Sequence, residues 1–236
     1  MARKHDRLTV VKSLLKHVPK GEPVYLQMST MVPLIKLSPP SKGASSVRNP
    51  VPVMIKLAKP WKRNRILLVV KDPQQSAYSV LQEDKEACTY GMFDEIISVS
   101  KLRARKGRKQ LLREFDLVVV DDRVAKVLPP ILGAEFYKSG KHMPVPIVVH
   151  PPSDKKKVDP VTVKKQTRLA SKSTALALTD GTLGSMQVGF SDMGAEDLTE
   201  NIEAVIQGIM ERLGSMSRHV SGFQIKTADS ASLPLN

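Results

Sequence analysis

The spacing of apolar positions changes character twice along the chain. In the first segment Leu8, Val11, Leu14, Leu15 and Val18 recur at helical spacing, and Pro19-Lys20-Gly21 stops the run. Asp6 stands where a cap would open that helix. From Val24 to Met31 the pattern alternates, with Val24, Leu26, Met28 and Thr30 set against Tyr25, Gln27, Ser29 and Met31, which predicts a strand with one polar face. A loop rich in Pro, Ser and Gly follows Leu37. Val51–Ala58 reads as a second strand, placed at an edge or a strand start by Pro52.

Beyond Lys59-Pro60-Trp61-Lys62 the apolar runs become continuous. Ile66–Val70, Ile96–Val99, Leu117–Val120 and Ile147–Val149 each read as a strand buried on both faces. Helices are expected between them: one opened by Asp72-Pro73 and running to about Ala87, one over Leu102 to Phe115, and a short one capped by Asp121 or Asp122 and ending at Pro129. Short apolar strands alternating with helices predict a parallel, Rossmann-like α/β unit.

After His150-Pro151-Pro152-Ser153 amphipathic patterns return. A helix is expected from about Asp159 to Lys172, then a hairpin of Thr174–Leu178 with Ser185–Gly189 turning at Asp180-Gly181. Ala195 to Gly214 predicts the clearest helix, with Leu198, Ile202, Val205, Ile206, Ile209, Met210 and Leu213 along one face and Gly214 as its cap. The last strand places Phe223 and Ile225 on one side and Val220, Gly222, Gln224 and Lys226 on the other. An apolar pair this late argues for a strand needed inside a core. Neither flank would make a domain alone. The expectation is an α/β fold in which residues 1–61 and 151–236 form one discontinuous α+β domain, with a three-layer Rossmann-like domain over 62–150 inserted into it.

Charge adds a direction. The chain of 236 residues carries a formal net charge of +14. Residues 1–60 hold eleven Lys/Arg against two Asp/Glu, whereas residues 151–236 hold ten of each. Such a balance favours a polyanion, nucleic acid before an acidic membrane surface. No apolar run reaches the roughly 18 residues a membrane span needs, and no secretory signal is read behind the basic start. Cys88 is the single cysteine, so no disulfide framework or cysteine-based zinc site is expected and a reducing compartment fits.

Candidate chemistry is sparse. Asp121-Asp122 at the end of an apolar strand invites an enzyme reading, because ligands gather at the carboxyl ends of strands in open α/β sheets. No Gly-rich phosphate loop follows any strand, and helix capping with a salt bridge to Arg123 accounts for the pair. The five histidines are scattered without metal-ligand spacing, and no nucleophile elbow is present. No catalytic residue, metal or cofactor is assigned. With 4% aromatics, binding to folded RNA through shape and backbone suits better than stacking of single strands.

The stretches VYLQMST, ILLVVKDPQ, SVSKLR, LLREFDLVVVDDRVAKVLPPILGAEFY, MPVPI, LTENIEAVI and FQIKTADSASLPL together resemble the ribosomal protein L1 family, the large-subunit stalk proteins, and in particular its eukaryotic nucleolar ribosome-biogenesis branch. The resemblance implies a split α/β domain from both chain ends, an inserted Rossmann-like domain, and binding of structured rRNA through the split domain. It departs in two places. Ala228-Asp229-Ser230 stands in the slots of the stalk proteins' Thr-Met-Gly, and Asp180-Gly181 stands where they carry a Lys in the turn. Both departures favour the biogenesis branch. The lack of long Lys-rich tails leans toward the shorter factor of the small-subunit processome. A pre-60S factor of the same family and the stalk protein itself are the alternatives, with a Rossmann-like nucleotide-binding enzyme as the reading from another class.

For the RNA face the expected residues are Gln27, Ser29, Lys36, Lys42, Arg48 and Lys56 from the first flank, and Lys172, Lys226, Thr227, Ser230 and Ser232 from the second. Lys and Arg neutralise phosphates, and hydroxyls and amides reach sugar edges and the 2′-OH. A solvated polar face is the plain alternative. The basic run Arg103, Arg105, Lys106, Arg108 and Lys109 reads as a nuclear-localisation signal, a second RNA patch or an exposed helix face. Expected partners are pre-rRNA, other assembly factors and ribosomal proteins, with no membrane and no small-molecule substrate, in the nucleolus or nucleus.

Overall fold

The structure, a computed structural model, describes residues 2–37, 52–61, 65–73, 77–107, 110–133, 136–137, 143–151, 153–154 and 157–235. They divide into two compact units, one of residues 1–61 with 172–236 and one of residues 62–171.

The first unit is built on a four-stranded antiparallel sheet. Its strands are β1 (Pro23–Thr30), β8 (Leu183–Phe190), β9 (Val220–Lys226) and β10 (Leu233–Leu235), in the order β10-β9-β1-β8. β1 therefore lies between two strands from the C-terminal flank. The predicted alternation appears as burial: Val24, Leu26 and Met28 are 1%, 0% and 0% exposed, whereas Tyr25, Gln27 and Ser29 are half-buried on the opposite face. The inner face packs in one core with Val11 and Leu14 of α1 (Ala2–Lys16) and with Leu198, Ile202, Val205 and Ile209 of a long helix, Ala195–Leu213. That helix ends at Gly214, whose φ of +50° suits a residue without Cβ. Asp6 does not cap α1. The helix already includes Ala2, because Arg3 and Lys4 are themselves good helix formers.

A second, two-stranded sheet in this unit pairs β2 (Val53–Lys56) with β7 (Ser173–Leu176). The expected hairpin between β7 and β8 is thus not formed. The carbonyls of the intervening loop are claimed elsewhere: Thr179 accepts from the Ile35 N–H, Gly181 from Leu34 and Thr182 from Thr30. The loop is bound to the end of β1 and the 3-10 turn Leu34–Leu37, and β7 is left to pair across the unit.

The second unit holds a four-stranded parallel sheet, β3 (Ile66–Val70), β4 (Glu95–Ser98), β5 (Leu117–Asp121) and β6 (Val145–Ile147), in the order β4-β3-β5-β6. β3 and β5 are buried at every residue, as expected of strands covered on both faces. Several expected helices are shorter. Residues 77–83 form one helical stretch ending in a π-turn at Ser79–Glu83, which stops at Asp84. The basic helix over 102–115 is broken into α2 (Val99–Ala104) and α3 (Leu111–Glu114). Gly107 has a φ of +73° between them, and Arg105 pairs with Glu95 and Glu114 at 2.8 and 3.1 Å. Arg108 and Lys109 lie outside the described residues. Asp121 and Asp122 are followed by a turn and a 3-10 helix, Ala125–Val127, in place of an α-helix capped by either; the next α-helix, α4 (Pro129–Leu132), starts on its own proline.

The helix α5 (Pro160–Ser171) belongs to this second unit. It buries Val163, Thr167 and Ala170 and packs on β5 and β6. The passage back to the first unit falls between Ser171 and Lys172, not at the 150/151 expected from the Pro-Pro break. A proline pair interrupts regular structure without marking where the packing partner changes. The long helix of the first unit is α6 (Ala195–Leu213) in chain order.

Candidate nucleic-acid interface

Opposed residues of an antiparallel pair share one face of a sheet. The register therefore lists the open face directly. Across β1 and β9, Tyr25 faces Lys226, Gln27 faces Gln224 and Ser29 faces Gly222. Across β1 and β8, Tyr25 faces Gln187, Gln27 faces Ser185 and Ser29 faces Leu183. The result is a band of amides and hydroxyls with one cation, built from both chain flanks. Gln224 Nε2 donates to Gln27 Oε1 at 3.1 Å, which orients both amides and leaves the Gln27 Nε2 hydrogens for a ligand. Burial, then the nearby Glu22 carboxylate, raises the Tyr25 phenol above its ordinary pKa. It stays a neutral donor at physiological pH.

Three of the expected residues, Gln27, Ser29 and Lys226, meet on this face. Lys56 and Lys172 meet at a second place. Lys56 lies opposite Ser173 at the end of β2, the Leu57 N–H donates to the Lys172 carbonyl at 3.0 Å, and both lysines are exposed. Lys36 is exposed on the 3-10 turn after β1. Thr227, Ser230 and Ser232 lie in the turn from β9 to β10. Thr227 is 3% exposed, its N–H donates to Ser230 Oγ at 2.9 Å, and Ser230 in turn donates to the Ala231 carbonyl. Those contacts shape the turn, while Ser232 is exposed. Lys42 and Arg48 lie outside the described residues.

Tyr25, Ser185, Gln187 and Gln224 were not among the expected residues. Their signal was available: Ser185 and Gln187 alternate with the buried Met186 and Val188. Locating β8 beside β1 is what turns that alternation into a shared surface.

The second unit has a crevice of about 430 Å³, lined by Val70, Lys71, Asp72, Asp121, Arg123 and Val149 among others. It lies at the carboxyl ends of β3 and β5, where the strand order reverses and open α/β sheets bind ligands. Its floor is neutralised internally. Asp121 is fully buried, caps the Arg123 N–H at 3.0 Å and forms an ion pair with the Arg123 guanidinium. At the mouth Asp72 accepts from the Ser100 N–H and hydroxyl at 3.3 and 2.9 Å. Hydrogen bonds from Ser98 and Ser100 hold that carboxyl below its ordinary pKa, so a carboxylate stands beside Lys71 in the lining. Asp122 lies 3.9 Å from His150 Nε2, and desolvation and the adjacent Asp121 raise its pKa. A lining in which Asp72 and Asp121 offset Lys71 and Arg123, without a Gly-rich turn, is a poor cradle for phosphate. Among the described residues no group of three or more His, Cys, Asp or Glu is arranged to hold a metal ion, and Cys88 is a free, exposed thiol. No helix is long and apolar enough to cross a membrane among the described residues.

A split antiparallel unit with a polar open sheet, interrupted by a parallel α/β unit, defines a class of two-unit α/β proteins. The chain belongs to the ribosomal protein L1p/L10e family, whose model matches residues 34–231. It is 34% identical over 195 residues to the ribosome biogenesis protein UTP30 of Saccharomyces cerevisiae, an alignment covering 76% of this chain and 70% of that protein. It is 28% identical over 241 residues to the putative ribosome biogenesis protein C306.07c of Schizosaccharomyces pombe, covering 95% of this chain and 76% of the relative. Similarity extends to the large ribosomal subunit protein uL1 of Methanothrix thermoacetophila, 29% identical over 138 residues, 57% of this chain and 60% of that one. The family and the α/β fold inferred from the sequence motifs are those found.

Proposed function

We propose that the protein is a non-catalytic ribosome-biogenesis factor that binds folded pre-rRNA through the first unit, within a nucleolar pre-ribosomal particle of the small-subunit pathway. The observation that carries this reading is the open sheet face on which Gln27, Ser29 and Lys226 meet, joined by Tyr25, Ser185, Gln187 and Gln224. Amides, hydroxyls and a phenol are the groups that read sugar edges and 2′-hydroxyls of folded RNA, and flanking lysines supply phosphate contacts. The similarity to proteins named for ribosome biogenesis supplies the setting. Lys36, Lys42, Arg48, Lys56, Lys172, Thr227, Ser230 and Ser232 complete the proposed interface. The second unit is the part available to assembly factors and ribosomal proteins.

Crosslinking the chain to RNA in cells and sequencing the attached fragments tests the assignment. Enrichment of small-subunit precursor sequences, lost on charge reversal of Lys36, Lys42 and Arg48, is the expected result. Fragments drawn from large-subunit precursors would move the protein to pre-60S particles, and fragments from the mature stalk region would make it a stalk protein.

A further inference from the structure

We infer that the outward face of α5 is a docking site for a partner protein presenting a short, acidic, amphipathic segment. The helix buries Val163, Thr167 and Ala170 against its own unit. On the opposite side Val161 and Leu169 are 68% and 54% exposed. They stand two turns apart, at i and i+8, with Lys165 midway. Lys164, Lys165 and Arg168 accompany them, and the helix sequence PVTVKKQTRLAS contains no acid. Among the described residues none of these three cations has a carboxylate within 4.0 Å, in contrast to Arg105 and Arg123 of the same unit.

Each part of this face selects against one occupant. Unpaired cations on a single face call for negative charge. Two exposed aliphatic side chains at helical spacing serve no purpose against a phosphate backbone, but they are the anchors that a peptide's apolar side chains cover. A two-fold contact with a second copy would set the basic face against itself. An acidic segment with apolar residues at matching spacing satisfies all three conditions. The inference is independent of the RNA face, which lies in the other unit.

The test uses the full chain in cells, with the photoreactive analogue p-benzoyl-phenylalanine in place of Leu169. The adduct is identified by mass spectrometry of the crosslinked peptide. The expected adduct is to a segment of net negative charge with apolar residues at helical spacing. Its yield falls at least fivefold in the Val161→Asp background and in the Lys164→Glu/Lys165→Glu/Arg168→Glu background, while pre-rRNA crosslinking stays within twofold. Adducts confined to this chain itself or to segments without net negative charge would overturn the inference. So would the absence of any adduct, or loss of pre-rRNA crosslinking in the charge-reversed variant. A chain with α5 unaltered except at Leu169 that forms the adduct but crosslinks no pre-rRNA would instead remove the sheet-face reading and leave this one standing.

Discussion

The side-chain amide of Asn201 closes on the backbone of Lys59 from both sides. Asn201 Oδ1 accepts from the Lys59 N–H at 2.6 Å, and Asn201 Nδ2 donates to the Lys59 carbonyl at 2.9 Å. The second amide hydrogen goes to the Val188 carbonyl at 2.8 Å. One fully buried residue of α6 thus fastens the chain where it is about to leave the first unit, and ties it to β8. Replacing it by Leu would leave three backbone groups unpaired. Asn201→Leu is expected to cost the first unit about 2–4 kcal/mol. Trp61 is the only tryptophan and packs edge-on against Phe190 at 5.7 Å, so its fluorescence in urea reports this unit. An unchanged midpoint would show that the clasp contributes nothing.

At Gly208 α6 lies close against Ile55 of β2. A Cβ built there would stand 2.6 Å from Ile55 Cγ2, inside any tolerable contact. Alanine favours a helix by about 1 kcal/mol over glycine, but overpacking costs about 1–3 kcal/mol. Gly208→Ala is therefore expected to destabilise by up to about 2 kcal/mol despite its better propensity. Ile55→Ala removes the clashing methyl, so in the double variant the alanine at 208 should no longer be harmful. Additive losses in a double-mutant cycle would rule out the close approach as the cause.

The helix α5 carries two opposite predictions. Asp159 accepts at its N-terminus from the Val161 and Thr162 N–H groups at 3.3 and 3.0 Å. Asp159→Ala should cost about 0.5–2 kcal/mol. The Thr162 hydroxyl, with smaller help from the two N–H groups, holds the Asp159 carboxyl below its ordinary pKa. A depressed carboxyl stabilises the fold above its unfolded pKa, about 3.9, and that gain disappears as pH falls through the lower folded value. The gap between wild type and Asp159→Ala should therefore shrink on acidification below about pH 4. Thr167, in contrast, is 1% exposed and its hydroxyl has no partner among the described residues. Thr167→Val should leave stability unchanged or raise it by up to about 1 kcal/mol. Amide hydrogen exchange within α5 measures both variants. A large loss for the valine would mean the hydroxyl is bonded.

On the open sheet face, amides and the lysine should separate by their salt dependence. Gln27→Ala with Gln224→Ala is expected to weaken pre-rRNA binding about tenfold, roughly 1.4 kcal/mol, without altering the slope of log K against log salt. Lys226→Ala should lower that slope by about one counterion. Titrations at several salt concentrations distinguish them, and unaltered binding in both variants would remove the sheet face from the interface.

The strands of the second unit were legible because burial on both faces needs only a continuous apolar run, as in Ile66–Val70 and Leu117–Val120. The polar face of β1 was legible for the opposite reason, strict alternation from Val24 to Ser29. Pairing was harder. Asp180-Gly181 carries a local hairpin signal, but Thr30, Leu34 and Ile35, about 150 residues away in the chain, take the loop's carbonyls. Helix breaks failed for a related reason. The charges over 102–115 suit one helix until Arg105 is placed between Glu95 and Glu114. Three of the eleven expected site residues share the open sheet face, and Lys56 and Lys172 share a second place.

The strand order of the first unit also sets a schedule for synthesis. β1 emerges early, yet its neighbours β8 and β9 begin only at Leu183 and Val220. The second unit is complete by Ser171. A nascent chain halted shortly after that point should carry one finished, protease-resistant unit while Leu26 and Met28 still wait for cover, open to chaperones. Only when β9 and β10 have left the exit tunnel can the open sheet assemble, so a product cut before Val220 would never present it.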